Sequence, residues 1–214
     1  MKVEEGEFTE DIEELSFDQI PILDRDTAAI LGDRKMGSMV DMVSQFDVDD
    51  IYSQINYQDR PYRVTPLKYA SIIKWFTNRS EGIPAYIRIN MADQTTELVQ
   101  LEEGIRYTTS EHLNRNIYRH LRFAHPTYIY GELSFEIDEE GVPYWIAPVK
   151  KFNIGLFGGE TVGKVVICNA VNGEMKTYDI EDVPQWVDRV YSADLLVDLF
   201  DYYGTLKHGS GIVC

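Results

Sequence analysis

The chain has 214 residues, which fits one large domain or two small ones, and its hydrophobic content of 44% is ordinary for a globular protein. The formal net charge is −16, from 36 acidic and 20 basic residues. So acidic a surface repels phosphate, which disfavours bulk binding to nucleic acids or anionic membranes and fits a cationic partner, a metal or simple solubility.

The first 16 residues are predicted to form a flexible acidic arm. Residues 1–18 hold eight acidic residues against one lysine, and only Ile12 and Leu15 favour a helical turn there. From residue 17 the pattern is typical of a strand, to residue 23. Residues 27–31 then predict a short helical turn that ends at Gly32.

The next stretch predicts a hairpin followed by a helix. Residues 35–46 fit either a helical face or a strand. Strands at 52–57 and 60–64 are predicted to pair around Gln58-Asp59. Thr65 and Pro66 are a good N-cap and first-turn residue, so they predict a helix that ends between Asn78 and Gly82. Its apolar stripe would be Leu67, Ala70, Ile73 and Phe76.

The same order of elements is then predicted twice more. Strands at 86–91 and 95–101 precede a helix at 111–123, capped by Ser110 and stopped by Pro126. The third set has more strands: 133–137, 143–148, 164–171 and 174–180, the last two flanking the turn Asn172-Gly173. A helix from Pro184 to about residue 203 follows, with Gly204 as its stop.

One local similarity supports a repeat. Residues 81–87 (EGIPAYI) match residues 140–146 (EGVPYWI), and a strand, a turn and a further strand are predicted after each. The alternative is that a turn, a proline and a strand recur by chance. The predicted fold class is α+β, with repeated antiparallel strand–strand–helix units in one or two compact domains. The predicted divisions are an arm (1–16), three units (17–80, 81–132 and 133–204) and a flexible tail (205–214).

A glycine-rich segment, 158–164, matches the first seven positions of a phosphate-binding P-loop. The eighth position, which should be Ser or Thr, is Val165, and residues 165–168 predict a strand where a helix should begin. We therefore interpret the segment as a turn between strands, and no cofactor is predicted.

A basic stripe is the main candidate site. His112, Arg115, Arg119 and Arg122 recur at steps of three and four, so they would share one face of the helix predicted at 111–123, with Arg106 nearby. One interpretation is a site for a phosphate, a carboxylate or an acidic segment. The other is a solvated face that pairs with the protein's own acids, including the N-terminal arm.

Catalytic and metal-binding patterns are scarce. The four histidines, at 112, 120, 125 and 208, are scattered, and Cys168 lies in an apolar run typical of a core residue. The acidic turn 138–141 lacks the spacing of a calcium loop, and Gly209-Ser210-Gly211 lacks the context of a hydrolase nucleophile. No catalytic residue and no metal ligand is predicted.

Several motifs together resemble a family of Gram-positive bacterial membrane-associated proteins without an established activity. The motifs are LGDRKMG (31–37), YSQINY (52–57), RVTP (63–66), GLFGG (155–159), WVDRVY (186–191) and DYYG (201–204). The strand–strand–helix units also loosely resemble PepSY-type modules, which are extracytoplasmic and mostly regulatory. The resemblance implies membrane segments ahead of this region and a longer, aromatic continuation after Gly204, and the sequence has neither.

These observations favour a non-enzymatic binding, interaction or regulatory domain of an envelope-associated protein, with a protein partner. The alternative function is a sensor for an anion or small molecule on the basic stripe. The expected location is the extracytoplasmic face of the membrane if the chain is part of a longer protein, and the cytoplasm otherwise. Contact with the membrane is expected only through segments absent from this chain.

Overall fold

The computed structural model describes residues 21–152 and 160–190, and this part of the chain has an α+β fold. Its helices are α1 (Arg25–Gly37), α2 (Val40–Val43), α3 (Ile72–Asn78) and α4 (Ile117–Ala124), with a 3₁₀ turn at Ile180–Asp182. Its strands are β1 (Phe46–Val48), β2 (Ser53–Tyr57), β3 (Arg60–Tyr69), β4 (Ile83–Asn90), β5 (Thr96–Ile105), β6 (Ser134–Ile137), β7 (Pro143–Phe152), β8 (Glu160–Asn169) and β9 (Met175–Asp179). The predicted fold class is therefore confirmed as α+β.

The first sheet has five strands in the order β1-β3-β4-β5, with β2 also paired to β3, and all its pairs are antiparallel. The predicted hairpin at residues 52–64 is confirmed as β2 and the first half of β3. Gln58 and Asp59 have φ of 52° and 59°, as a tight two-residue hairpin turn requires. The strands predicted at 86–91 and 95–101 are confirmed as β4 and β5.

The second sheet has four antiparallel strands in the order β6-β7-β8-β9. All four were predicted from the sequence, as was the turn at Asn172-Gly173. Val165 to Cys168 lie within β8, so the segment after the P-loop-like motif is a strand, as predicted.

The two sheets share one core. Phe135 of β6 packs edge to face against Tyr86 of β4, with ring centroids 6.1 Å apart, and against Trp145 of β7, 5.2 Å apart. All three side chains are fully buried. The backbone N–H of Phe135 also donates to the Ser53 hydroxyl of β2 (3.0 Å), which joins the sheets by a buried hydrogen bond.

The helix predicted from Thr65-Pro66 begins six residues too early, because β3 continues to Tyr69 and α3 starts only at Ile72, although it ends at Asn78 as predicted. Strand β2 pairs with β3 as far as Val64, the partner of Ser53, and β1 pairs with β3 from Leu67 onwards, the partner of Val48. Pro66 lies between these two ranges, so neither strand pairs with it. A strand residue points its N and O to the same edge, and the Pro66 carbonyl accepts from Asp49 N (3.0 Å) at that edge. The missing N–H of Pro66 therefore breaks no ladder hydrogen bond.

The helix predicted at 111–123 begins six residues too early. Helix α4 starts at Ile117, and Asn116 is its N-cap, accepting from Arg119 N (3.3 Å). The Asn116 side chain also donates to the carbonyls of Thr109 and Glu111, both at 2.9 Å. These bonds hold residues 109–116 as a loop and override the cap signal of Ser110.

Two other helix boundaries differ from the prediction. The helical turn predicted at 27–31 is the middle of α1, which continues through Gly32 to Gly37. The ambiguous segment 35–46 contains the end of α1, then α2 and the start of β1. No helix begins at Pro184, since residues 183–190 are irregular, and the rest of that predicted helix lies outside the described residues.

The remaining sequence-based predictions concern the chain ends and the boundary between the first two predicted units. The predicted arm (1–16), the tail (205–214) and most of the strand predicted at 17–23 lie outside the described residues. Residues 21–23 form no strand, although Ile22 N donates to Met91 O (3.2 Å). The boundary predicted at residue 80 falls between β3 and β4, which pair in one sheet.

No helix in residues 21–152 and 160–190 has both the length and the apolar character needed to cross a bilayer.

Candidate functional site

The residues of the predicted basic stripe do not share one helical face. Arg119 and Arg122 lie on α4, His112 and Arg115 in the loop before it, and Arg106 just after β5. Three guanidinium groups donate to backbone carbonyls: Arg115 to Arg79 (2.8 Å), Arg119 to His112 (2.9 Å) and Arg122 to Pro126 (3.4 Å). Within the described part of the chain, none of these three forms an ion pair with a carboxylate.

Arg115 lines a cleft of about 370 Å³ between α3 and the loop before α4, which we call the basic cleft. Its other lining residues include Trp75, Arg79, Glu111 and Leu113. The Arg79 guanidinium lies over the Trp75 ring, 5.3 Å from its centroid. A cation on an aromatic face is held in place and still presents its outer N–H groups to solvent.

A buried polar pair forms the base of the basic cleft. The Trp75 indole N–H donates to Glu111 Oε2 at 2.6 Å, and both side chains are buried. Glu111 Oε1 and the Tyr69 hydroxyl have no hydrogen-bond partner among the described residues. Burial, and then the nearby Glu111 carboxylate, raise the pKa of Tyr69. The buried Glu111 carboxyl group therefore lies beneath the basic cleft, whose rim carries the guanidinium groups of Arg79 and Arg115.

A larger cleft of about 650 Å³ lies between the sheets, where the β6–β7 and β8–β9 turns face β5; we call it the inter-sheet cleft. Two tyrosines, Tyr57 and Tyr86, lie in its wall. The Tyr86 hydroxyl donates to Gly141 O in the β6–β7 turn (3.1 Å), and burial raises the pKa of this phenol to about 12. Gly141 has a φ of 81°, so a glycine suits the turn that closes over these rings.

A bulge in β5 forms the acidic rim of the inter-sheet cleft. Ile83 pairs with Ile105, but two residues further along β4 Ala85 pairs with Gln100, so residues 101–104 bulge out of the ladder. The bulge contains Glu102 and Glu103, and Glu140 lies across the cleft. All three are exposed, and none forms an ion pair with a described cation.

Among the described residues, Arg88 is the arginine in the wall of this cleft, and its charge is already neutralised. Arg88 donates to Glu97 at 2.7 Å. Its guanidinium carbon is 4.8 Å from the centroid of the Tyr57 ring. The charge facing the cleft is therefore negative, and the same wall already holds a guanidinium between a tyrosine face and a carboxylate.

The other titratable groups have structural partners. His120 Nε2 is 2.9 Å from Gly173 O, and His125 stacks on Tyr128 at 4.7 Å. Burial raises the pKa of the Cys168 thiol to about 12, so little thiolate is present at neutral pH. In the part of the chain that the structure describes, no three His, Cys, Asp or Glu side chains are grouped to hold a metal ion. His208 and Gly209-Ser210-Gly211 lie outside that part.

The sequence predicted Arg115 of the basic cleft but neither Arg79 nor the inter-sheet cleft. Arg115 stood out because it recurs with His112 and Arg119 at helical spacing. Glu102 and Glu103 gave no such signal, because the bulge that presents them depends on how β5 pairs with β4.

Comparison of the chain with protein-family models, curated proteins and solved structures found no match in any of the three.

Proposed function

We propose that this chain is a non-enzymatic binding domain that takes an organic cation, an ammonium or guanidinium group with an apolar stem, in the inter-sheet cleft. The observation that carries the proposal is a cleft of about 650 Å³ with two tyrosines in its wall, rimmed by carboxylates that have no ion-pair partner among the described residues. A cavity of this volume is in the size range of small-ligand sites.

The chemistry of the wall supports a cation over an anion or a neutral ligand. A positive group in the cleft would reduce the electrostatic repulsion between the carboxylates of its rim, Glu102 and Glu103 on one side and Glu140 on the other. The half-buried Tyr57 ring of the same wall already holds one guanidinium, that of Arg88, 4.8 Å from its centroid, so the wall suits a positive group. A ligand of this class also suits the formal charge of −16, which attracts cations towards the whole surface.

The cellular setting belongs to the same proposal and rests on the motif resemblance. We propose an extracytoplasmic location, on an envelope-associated protein, where the cation could be a small molecule or a basic side chain of a protein partner. Fractionation of native cells tests this part. A membrane-fraction species with an apparent mass well above 24.7 kDa supports it, and a soluble species near 24.7 kDa contradicts it.

Binding is tested by titrating the full chain with Nα-acetylargininamide and Nα-acetylcitrullinamide, called argininamide and citrullinamide below. The two have a similar shape, but only the first has a charged side chain, and acetylation removes the α-ammonium group from both. The readout is the ¹H–¹⁵N chemical shift of Gly141, Asn172 and neighbouring amides of the cleft. We expect a saturable shift with argininamide and none with citrullinamide.

Two variants separate the cleft from the general negative charge. Glu102→Gln with Glu103→Gln removes two charges at the rim. Glu181→Gln with Asp182→Asn removes two exposed charges beyond the far end of β9. The first pair should weaken argininamide binding about tenfold, since two partly exposed charge contacts contribute about 1.4 kcal/mol, and the second less than about twofold. Equal effects of both pairs, or equal binding of both probes, would contradict the proposal.

A further inference from the structure

Helix α3 presents an apolar face to solvent. Ile72, Ile73 and Phe76 are 64%, 71% and 67% exposed, although Trp75 of the same helix is buried. Leu113, across the basic cleft, is 52% exposed. Single exposed apolar side chains are ordinary, but three on one seven-residue helix with a fourth facing it form a patch of the kind that binds a partner.

The patch is bordered by positive charge. Arg79 follows α3 and lies over the rings of Trp75 and Phe76, 5.3 Å from each centroid. Arg115 donates one N–H to the Arg79 carbonyl and keeps its other donors. No carboxylate of the described residues forms an ion pair with Arg79 or Arg115. We call Ile72, Ile73, Phe76, Arg79, Leu113 and Arg115 the α3 surface.

The side chains beneath the α3 surface are held in place by one another, so the surface is preformed. The Trp75 indole is bonded to Glu111, and the His112 ring packs edge to face on Trp75 with centroids 4.9 Å apart. The loop that carries Leu113 and Arg115 is thereby tied to α3. An occupant would therefore meet apolar and cationic groups already in position, which lowers the entropy lost on binding.

The chain itself contains a segment with the complementary chemistry. Residues 1–16 hold seven acidic residues and one lysine, and Phe8, Ile12 and Leu15 follow the spacing of one helical face. We propose that this acidic N-terminal segment docks on the α3 surface of its own chain, with its carboxylates on Arg79 and Arg115 and its apolar side chains on Ile72, Ile73 and Phe76.

The chain length permits this contact. Ile22 is fixed by its bond to Met91, at the end of β4 that lies away from α3. Strand β4 has eight residues, so its other end lies about 27 Å from that point. There Gly82 N donates to Asn78 O, the last residue of α3. The twenty residues before Pro21 span at most about 70 Å when extended, so Ile12, ten residues before Ile22, can reach about 33 Å. A tethered segment also acts at an effective concentration in the millimolar range.

The test compares amide shifts of the full chain with those of a variant carrying Glu4→Gln, Glu5→Gln, Glu7→Gln and Glu10→Gln. We expect the amides of residues 72–79 and 111–115 to shift in the direction that 0.5 M NaCl moves them in the wild type, because both changes weaken the same charge contacts. In a chain that also carries Arg79→Gln and Arg115→Gln, the four Glu changes should shift these amides by less than about a third as much.

A control variant neutralises Glu102, Glu103, Glu181 and Asp182, so it changes the net charge by the same four units. It should leave the amides of α3 unmoved. Ile12→Ser with Leu15→Ser should reproduce the shifts of the acidic variant at low salt. Shifts confined to α1 around Arg34 and Lys35, no shifts at all, or shifts that grow with protein concentration would overturn docking within one chain.

Discussion

The carboxylate of Glu136 in β6 accepts a hydrogen bond of 2.9 Å from the backbone N–H of Asp188, 52 residues later. Its other oxygen accepts from Arg189 N (3.1 Å) and from the Ser134 hydroxyl (2.9 Å). The Asp188 side chain in turn accepts from Asn56 N of β2 at 2.5 Å. One fully buried acid thus ties the chain segment around Asp188 to the second sheet, and Asp188 ties it to the first.

Glu136 should make stability depend on pH. Burial raises its pKa from 4.5 to about 7, so the folded chain binds this proton more tightly than the unfolded chain does. Its contribution is therefore complete below about pH 4.5 and is lost as the pH rises through 7. At about 1.4 kcal/mol per pH unit, the full loss is about 3–4 kcal/mol.

The measurement is urea unfolding between pH 4.5 and 8 for the wild type and Glu136→Gln. The variant turns one amide N–H₂ towards a backbone donor, so it should be less stable by about 1–3 kcal/mol at pH 5. Because glutamine does not titrate, that deficit should shrink as the pH rises. The exposed Glu132, 3.8 Å from Arg189, provides the control Glu132→Gln, whose difference from the wild type should stay constant. A constant deficit for Glu136→Gln would contradict the assignment.

The elements predicted correctly are those whose signals are local. Gln58-Asp59 and Asn172-Gly173 are turn dipeptides between alternating residues, and the strands beside both are where the sequence placed them. Thr65-Pro66 gave an equally good local signal and was wrong. Pro66 is accommodated in β3 because it lies between the residues that pair with β2 and those that pair with β1. The residues around Pro66 do not indicate how these neighbouring strands are arranged.

Gly32 should resist replacement even though it lies inside a helix. A Cβ there would be 2.5 Å from the Tyr52 hydroxyl, and Tyr52 is buried. Gly32→Ala should therefore destabilise the protein by about 1–3 kcal/mol, although alanine favours helices. Gly37, at the end of the same helix, has nothing within 4 Å, so Gly37→Ala should be neutral or stabilising by up to about 1 kcal/mol. Thermal unfolding of both variants checks this, and equal effects would count against the close approach.

The two candidate clefts also differ in how far the sequence could predict them. Arg115 could be selected from the sequence because its spacing from Arg119 suggested a shared face, and the true loop still brings it beside Arg79. Tyr57 and Glu140 are 83 residues apart and line one cleft only because the β6–β7 turn lies beside β2. A site assembled from two sheets depends on pairings that residue patterns along one strand do not contain.

Trp75→Phe should destabilise the protein, because it leaves the buried Glu111 carboxylate without its hydrogen-bond donor. The phenyl ring keeps most of the packing but removes the 2.6 Å donor, and Glu111 Oε1 already has no partner among the described residues. We expect a loss of about 2–3 kcal/mol, measured by urea unfolding. The double variant with Glu111→Leu should be no less stable than Trp75→Phe alone, because the unpaired charge is gone. Trp186→Phe is the control and should cost less, because Trp186 is only half-buried and packs on Tyr144 with the ring centroids 5.0 Å apart and the planes tilted by 40°.

Cys168 should be unreactive while the protein is folded. Burial raises the pKa of its thiol to about 12 from an ordinary value of 9.0, which lowers the thiolate fraction about 1,000-fold. Iodoacetamide at pH 8 should therefore alkylate Cys168 at least about 1,000-fold more slowly in buffer than in urea, since access is lost as well. Peptide mapping by mass spectrometry separates Cys168 from Cys214. Equal rates for Cys168 in buffer and in urea would mean that β8 opens readily, and would contradict its place between β7 and β9 in the shared core.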